Sequence, residues 1–467
     1  MLSPSGYKIT ESLIIAPSSC VYRGIRESDQ SQVILRTCGE QPDVSQCSRL
    51  RSSFEILKSF NHPNIVKTID FIDYAGQSCL VMEDTQSIDL WQYAETFEQK
   101  KLPVETVLVI AIQLAEALSV IHHAQVIHKD LHPGNIVINP STLNVQIIDF
   151  GLATLLSREQ PTLAPPENLE GILAYISPEQ TGRMNRSLDY RTDFYTLGVT
   201  LYLLLTGELP FDADDAIGLV HAHIARVQIP VCERCPEVPQ AVSDIIDKLL
   251  HKTAENRYQS ALGLKQDIDI CRRHVLAGTD IPVFVLGLND VSDRFQVPQI
   301  LYGREAEIRA MEYCFQEAAG GNAQLLTVSG YFGVGKSALV HEVHQSIATH
   351  KGLFISGKFD QFQRTTPYSA LKEALKTWLF HALSLGEKDL QSLRIKINKS
   401  LGESARVIND FMPELEVSVN EKVLYTVSKL VENFSGIIIP ANKPVIGANV
   451  FTQTAGIHAD GDNKKNL

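Results

Sequence analysis

The chain has 467 residues, 44% of them apolar and 21% charged, an ordinary globular composition with room for about three domains. Its 42 basic and 54 acidic residues leave a formal charge of −12, which argues against bulk attraction to nucleic acid or to an anionic membrane. The opening MLSPSGYKITESLIIAPSSC has neither a basic n-region nor a sustained apolar core, so it does not read as a signal peptide, and the cytoplasm is the expected setting.

Short alternating runs at Tyr7–Ile15, Cys20–Ile25 and Gln32–Thr37 predict three strands of a hairpin-connected sheet. An amphipathic stretch carrying Glu55 follows, then Asn61-His62-Pro63-Asn64-Ile65-Val66 and the strand Leu80–Glu83. From Val104 to Ile121 apolar positions surround a polar line at Gln113 and Glu116, the pattern of a largely buried helix. That helix leads into His128-Lys129-Asp130-Leu131-His132-Pro133-Gly134-Asn135, and Asp149-Phe150-Gly151 comes after it. Further on stand Ser177-Pro178-Glu179, Asp193 in RTDFYTLG and Arg257 in ENRYQSA. The strongest apolar run, Leu197–Leu205, is shorter than the roughly 20 residues a bilayer span takes and reads as a buried helix. Eight cysteines are scattered, as suits a reducing compartment, and the lone pair Cys232/Cys235 lacks the second ligand pair of a zinc site. His221-Ala222-His223 falls among helical residues and reads as solvent-facing or packing histidines.

The spaced set His128–Asn135 with Asp149–Gly151 resembles the catalytic loop and metal-binding turn of protein kinases. The resemblance implies that Asp130 orients or deprotonates an acceptor hydroxyl, and that Asn135 and Asp149 hold Mg against the phosphates of ATP. It makes Arg36 the third-strand base and Glu55 its helical partner, and it places Glu83 at the adenine-binding hinge. Asp193 becomes the acid opening the large buried helix, and Arg257 the structural partner of Glu179. Several positions depart from that pattern. Pro17-Ser18-Ser19 occupies the turn where kinases carry glycines, and Arg36 in VILR replaces the usual Lys with a planar fork of different reach. Lys129 replaces Arg, His132 replaces Lys, and Ile172 fills a Thr position. A pseudokinase that binds nucleotide and acts as a regulatory scaffold is therefore the rival to an active serine/threonine kinase.

Beyond a linker over residues 276–296, the apolar strand Leu325–Val328 runs into Gly330-Tyr331-Phe332-Gly333-Val334-Gly335-Lys336-Ser337 and a helix over Ala338–Ile347. This is G-x-x-x-x-G-K-S in its strand-to-helix setting. Gly330, Gly333 and Gly335 let backbone N–H groups cradle phosphate, Lys336 neutralises it and Ser337 ligates a metal. Val407-Ile408-Asn409-Asp410 is too short to be the acid-tipped strand that completes such a site.

Together HKDLHPGNIVI, ISPEQTGRMNRSLDYRTDFYTLG, LYGREAEI, SGYFGVGKSALV and SGKFDQFQRTTPYSALKEAL resemble the N-terminal half of large bacterial multi-sensor signalling kinases. In that family a serine/threonine kinase-like domain precedes an AAA-type ATPase, which implies protein substrates and signalling partners. Residues 421–467, with Gly456-Ile457-His458-Ala459-Asp460-Gly461, instead resemble the isopropylmalate and homocitrate synthase family, whose matching histidine lies in the active site. The expected architecture is an α+β bilobal protein kinase-like domain over 7–275 and a truncated α/β P-loop NTPase domain of AAA type over 297–415. A short foreign α/β tail fragment over 421–467 follows. The tail lacks the barrel and the H-x-H metal ligands that acyl-CoA condensation requires, so it is not expected to condense on its own.

Overall fold

The computed structural model describes residues 4–16, 19–39, 44–74, 77–155, 171–182, 188–213, 215–291, 303–331, 334–336, 339–340, 347, 355, 357, 370–375, 437–440 and 457–458. The chain divides into two compact units. One comprises Met1–Thr162, Leu169–Thr181 and Ser187–Pro298, the other Leu163–Asn168, Gly182–Arg186 and Gln299–Leu467.

The first unit opens with β1 (Tyr7–Ile15), β2 (Ser19–Arg26), β3 (Gln32–Cys38), β4 (Thr68–Tyr74) and β5 (Gln77–Glu83) in one antiparallel sheet of order β1-β2-β3-β5-β4. The three strands expected from alternation are there, each within two residues of its expected ends. On β3, Val33 and Leu35 enter a small core with Tyr22, Cys79 and Val81. The period of two sends Ile34 and Arg36 to the opposite face, where Ile34 meets the larger core. Helix α1 (Val44–Leu57) packs on β3, β4 and β5.

The larger core is helical. It begins with β6 (Ile88–Asp89), α2 (Leu90–Glu95), α3 (Val104–His123) and β7 (Val126–Ile127). Next come β8 (Ile136–Ile138), β9 (Val145–Ile147) and β10 (Thr154–Leu155), and then α4 (Arg191–Thr206), α5 (Ala216–Ala225), α6 (Val231–Arg234), α7 (Gln240–Leu249) and α8 (Ala261–Leu276). Pairing of β10 with β7, and of β8 with both β6 and β9, brackets the loop between β7 and β8. Among the described residues α3 is the one helix long and apolar enough to cross a bilayer, and it packs against α4, α8 and β9. Every residue of α4 is buried, which accounts for its continuous apolar run. The helix ends at Gly207, whose φ of +74° costs a glycine nothing.

His223 on α5 is the packing histidine of its pair, fully buried between Tyr195 and Phe211 and hydrogen-bonded to Tyr195 Oη at 2.9 Å. Burial, with the charge of Lys252 adding to it, pushes its pKa down to about 3 from 6.5. Between those values the unfolded chain binds the proton and the folded one does not, so this group makes stability fall as pH drops through 6.5 toward 3. The slope is at most ~1.4 kcal/mol per pH unit. Unfolding midpoints of wild type and His223→Phe between pH 7 and 4 should show a shallower acid limb in the variant.

In the second unit α9 (Glu305–Ala319) precedes β11 (Leu325–Ser329), and Met311, Leu326, Val328, Leu339 and Val340 form the core. β11 is the central strand of a parallel sheet of order β12-β11-β13, with β12 (Ile437–Pro440) and β13 (Ile457–His458) on its two sides. Both flanking strands come from the stretch 421–467. Val407–Asp410 lies outside the described residues.

Candidate active site

Asp193, in the first turn of α4, organises the loop that carries the candidate catalytic residues. It is fully buried, and its carboxylate accepts the backbone N–H of His128 (2.9 Å) and of Lys129 (2.7 Å) and bonds His122 Nε2 at 2.8 Å. These bonds to an ionised acceptor hold Lys129 at a φ of +69°, a conformation costly for a side-chain-bearing residue. Thr200 Oγ1 donates to Leu131 O at 2.7 Å and Gln180 Nε2 to Lys129 O at 2.9 Å. The loop is thus pinned from α4 and from the Ser177–Thr181 segment.

Within it, Asn135 Nδ2 donates to Asp130 Oδ2 (2.9 Å) and to Asp130 O (3.0 Å), so the amide's Oδ1 is left as the oxygen that can face a cation. His132 accepts the N–H of Gly134 on Nδ1 at 3.1 Å, and its Nε2 lies 3.7 Å from Asp130 Oδ2. Gly171, at φ +88°, presses on Asp130: a Cβ there would sit 3.0 Å from Oδ1. Ile172 beside it is 44% exposed and offers no hydroxyl.

Asp149 follows Ile148, whose carbonyl bonds His128 Nε2 at 3.1 Å, and the His128 ring meets Phe150 edge-on at 4.8 Å. The loop and the Asp-Phe-Gly turn are therefore in direct contact through His128. Asp149, at φ +60°, accepts Gly151 N–H at 3.1 Å on Oδ1 and the Arg36 guanidinium at 2.6 Å on Oδ2. Burial works against the charged carboxylate, but the Arg36 charge and hydrogen bond outweigh it and hold its pKa below the usual range. Arg36 also reaches Ser19 Oγ at 3.3 Å. Asn135 Oδ1 and the Asp149 carboxylate are hard oxygen donors of the kind a divalent cation takes, and Ile148, next to Asp149, donates its N–H to Asn135 O at 2.9 Å.

One expected contact is corrected. Glu55 does not meet Arg36: its side chain is 54% exposed and pairs with Lys58, just past the end of α1. The reason is helical phase. Leu50, Ser53 and Leu57 share the buried face of α1, whereas Glu55 lies about 200° around from Ser53. Ser53, 1% exposed, is the helix residue that reaches the turn, accepting Phe150 N–H on Oγ at 3.3 Å. Arg36, without a helical acid, turns to Asp149. Glu83 ends β5 with an exposed side chain, and its N–H is taken by Lys67 O at 3.0 Å, so a contact to adenine falls to its carbonyl. An exposed pair such as Glu55–Lys58 is worth little. Glu55→Gln should therefore leave both ATP turnover and the denaturation midpoint unchanged, and an effect above about 0.5 kcal/mol in denaturant titration would contradict this placement.

Ser53, His122 and Gln180 were not singled out by the sequence reading. For Ser53 the signal was available in the spacing of Leu50 and Leu57; for the other two it was not, because their partners are distant in the chain. Glu179 and Arg257 form the expected pair, with bonds of 2.6 and 2.8 Å.

In the second unit Lys336 Nζ donates to Gly330 O (2.9 Å) and Tyr331 O (2.7 Å), folding back over the loop, and Gly335 takes a φ of +89°. Gly333 and Ser337 lie outside the described residues.

Residues 15–267 match the protein kinase domain family, and residues 300–445 match an AAA ATPase domain. A hybrid signal transduction histidine kinase G of Dictyostelium discoideum is 36% identical over 261 residues, 52% of this chain and 8% of that protein. Serine/threonine-protein kinase PrkC of Bacillus subtilis is 33% identical over 221 residues, 47% of this chain and 33% of its own length. A probable serine/threonine-protein kinase PknB of Lactococcus lactis is 30% identical over 235 residues, 50% of this chain and 36% of its own. The chain thus spans little more than a third, at most, of these relatives. With the match to the kinase domain covering more than half of the chain, and Asp130 and Asn135 held together on a loop anchored by Asp193, this chain belongs to the protein kinase family.

Proposed function

We propose that the first unit transfers the γ-phosphoryl group of Mg-ATP to a serine or threonine hydroxyl of a protein, as part of a signalling protein. The observation that carries this reading is the coupling of Asp130 to Asn135 at 2.9 Å. It aligns a carboxylate for the acceptor hydroxyl and leaves the amide oxygen for the metal. Asp130 accepts the hydroxyl proton as the acceptor oxygen attacks, and His132, with Gly134 on its Nδ1, keeps an Nε2–H beside that carboxylate. Asn135 and Asp149 hold the cation, which when bound neutralises charge on the phosphates. Arg36 has two tasks, phosphate and Asp149, and must share its fork between them. Radiolabelled phosphate transfer from Mg-ATP to a panel of basic and casein-type protein substrates tests the reading. The full chain should transfer, and its Asp130→Asn variant should not. Absence of any difference between the two would remove the enzyme reading.

A second reading, a pseudokinase that binds nucleotide and acts as a regulatory scaffold, is favoured by one observation. The Arg36–Asp149 ion pair at 2.6 Å ties up the metal ligand, and Ser53 supplies no acid to draw Arg36 away. Ser53→Glu is expected to raise phosphoryl transfer several-fold by giving Arg36 another partner. If wild type and variant both bind ATP tightly by calorimetry and neither turns over, the scaffold reading replaces the enzyme. The P-loop of the second unit is proposed to bind nucleotide phosphates in place of the carbonyls that now hold Lys336. The synthase resemblance of residues 421–467 is proposed to carry no condensing activity, so acyl-CoA with a 2-oxo acid should release no free thiol. The cytoplasm remains the proposed location.

A further inference from the structure

Two cysteines stand outside everything assigned so far. Cys38 is the last residue of β3, two positions after Arg36, and Cys47 lies in the first half of α1. Their Sγ atoms are 3.2 Å apart. A disulfide bond is about 2.05 Å long, so an approach of little more than an ångström separates this dithiol from a covalent bridge. Each sulfur faces the other, and no group of three or more His, Cys, Asp and Glu residues that could hold a metal occurs among the described residues. Metal ligation is therefore a poor account of the pair.

We propose that Cys38 and Cys47 form a reversible disulfide, a modification site that staples helix α1 to strand β3. The two thiols are not equivalent. Cys38 is 4% exposed, whereas Cys47 is half-buried and accessible to a small reagent. Burial, together with the hydrogen bond to Cys47, pushes the Cys38 thiol up to about 12, so at neutral pH Cys38 is protonated and the more exposed Cys47 meets a reagent first. The oxidant is a low-molecular-weight disulfide. The Cys47 thiolate attacks one of its sulfurs, forming a mixed disulfide and releasing one small thiol. The Cys38 sulfur, deprotonated as it attacks, then displaces the second small thiol from Cys47 and closes the bridge. Two protein thiols are oxidised, one small disulfide is reduced to two thiols, and the bridge opens by the reverse exchange.

The bridge ties together the two supports of the Asp-Phe-Gly turn. β3 carries Arg36, which bonds Asp149, and α1 carries Ser53, which accepts the Phe150 N–H. Four other cysteines have oxygen partners: Cys20 Sγ donates to Ala16 O at 3.8 Å, Cys79 Sγ to Leu80 O at 4.0 Å, Cys232 Sγ to Gln240 Oε1 at 3.3 Å and Cys235 Sγ to Leu205 O at 3.6 Å.

The test needs no catalysis, so it stands or falls independently of the proposed phosphoryl transfer. The full chain is equilibrated over a series of oxidised-to-reduced glutathione ratios, alkylated, digested and analysed by mass spectrometry. A peptide pair joined through Cys38 and Cys47 is expected to appear with increasing oxidation and to vanish on adding dithiothreitol. The oxidised chain should show an unfolding midpoint about 5 °C higher, the shift expected of a short closed loop. Cys47→Ser and Cys38→Ser should each abolish the joined peptide and the shift, and because either alone suffices, misfolding of one leaves the other decisive. Both thiols alkylated as freely after oxidation as before it would overturn the proposal. So would a glutathione adduct on Cys47 that persists without closing onto Cys38.

Discussion

Replacing Asp130 by alanine should slow phosphoryl transfer by roughly 10²–10⁴-fold while leaving ATP affinity within a few-fold of wild type. Asp130 is proposed to act on the acceptor hydroxyl, and its side chain neighbours the Asn135 amide and His132. Nucleotide affinity, by contrast, is proposed to depend on Arg36, Asn135 and Asp149 through phosphate and metal. A steady-state split separates the two sets: kcat falls in Asp130→Ala at nearly constant KM for ATP, whereas Asp149→Ala loses magnesium-dependent ATP binding itself. If Asp130→Ala raised KM for ATP as much as it lowered kcat, the carboxylate would belong to nucleotide binding. The assignment of Asp130 to the acceptor side would then be wrong.

The largest expected loss of stability comes from Arg257→Ala. Arg257 is 1% exposed and Glu179 2%, and the guanidinium meets the carboxylate in a bidentate pair at 2.6 and 2.8 Å. Its remaining donors reach the carbonyls of Arg191, Lys252 and His251 at 3.0, 3.1 and 2.7 Å, and its guanidinium stacks 4.9 Å from the Tyr195 ring. Burial opposes ionisation of Glu179, yet the Arg257 charge and the bonds from Arg257 and Thr192 hold its pKa below the usual carboxylate range. Removing Arg257 strands a buried acid and several carbonyls, and the cost should be about 3–5 kcal/mol in denaturant unfolding of the kinase unit. Replacing both residues, Glu179→Gln with Arg257→Met, should recover part of that loss, because no net charge then remains buried. If Arg257→Ala costs less than about 1 kcal/mol, water reaches this pair and the burial argument is wrong.

Much of the fold was legible locally. Tyr7–Ile15, Ser19–Arg26 and Gln32–Cys38 follow from alternation, and Val104–His123 from an apolar pattern with one polar line. Asp130, Asn135 and Asp149 declare themselves by spacing, since the loop chemistry demands those residue types at those intervals. Glu55 did not follow, because an acid near the expected position says nothing about which side of the helix it occupies. Two residues of helix turn it away, and Ser53 takes the inward place. Asp193 was recognised only by pattern, and its work, holding two backbone N–H groups of a loop more than sixty positions away, is a long-range fact.

The sequence by itself determined the three opening strands, the helix Val104–His123 and the strand that leads into the P-loop, whereas the expected helix over Ala338–Ile347 lies largely outside the described residues. Each element so determined depends on interactions within a few residues. The tertiary structure alone decided that Arg36 bonds Asp149, that Cys38 meets Cys47, and that Ile437–Pro440 and Ile457–His458 flank the P-loop strand. Arg36 and Asp149 are separated by 113 positions, and local periodicity carries no information about which distant group will share a buried site with a charge. Folding settles that, because a half-buried guanidinium without a helical acid is stabilised by the carboxylate that the fold brings within reach.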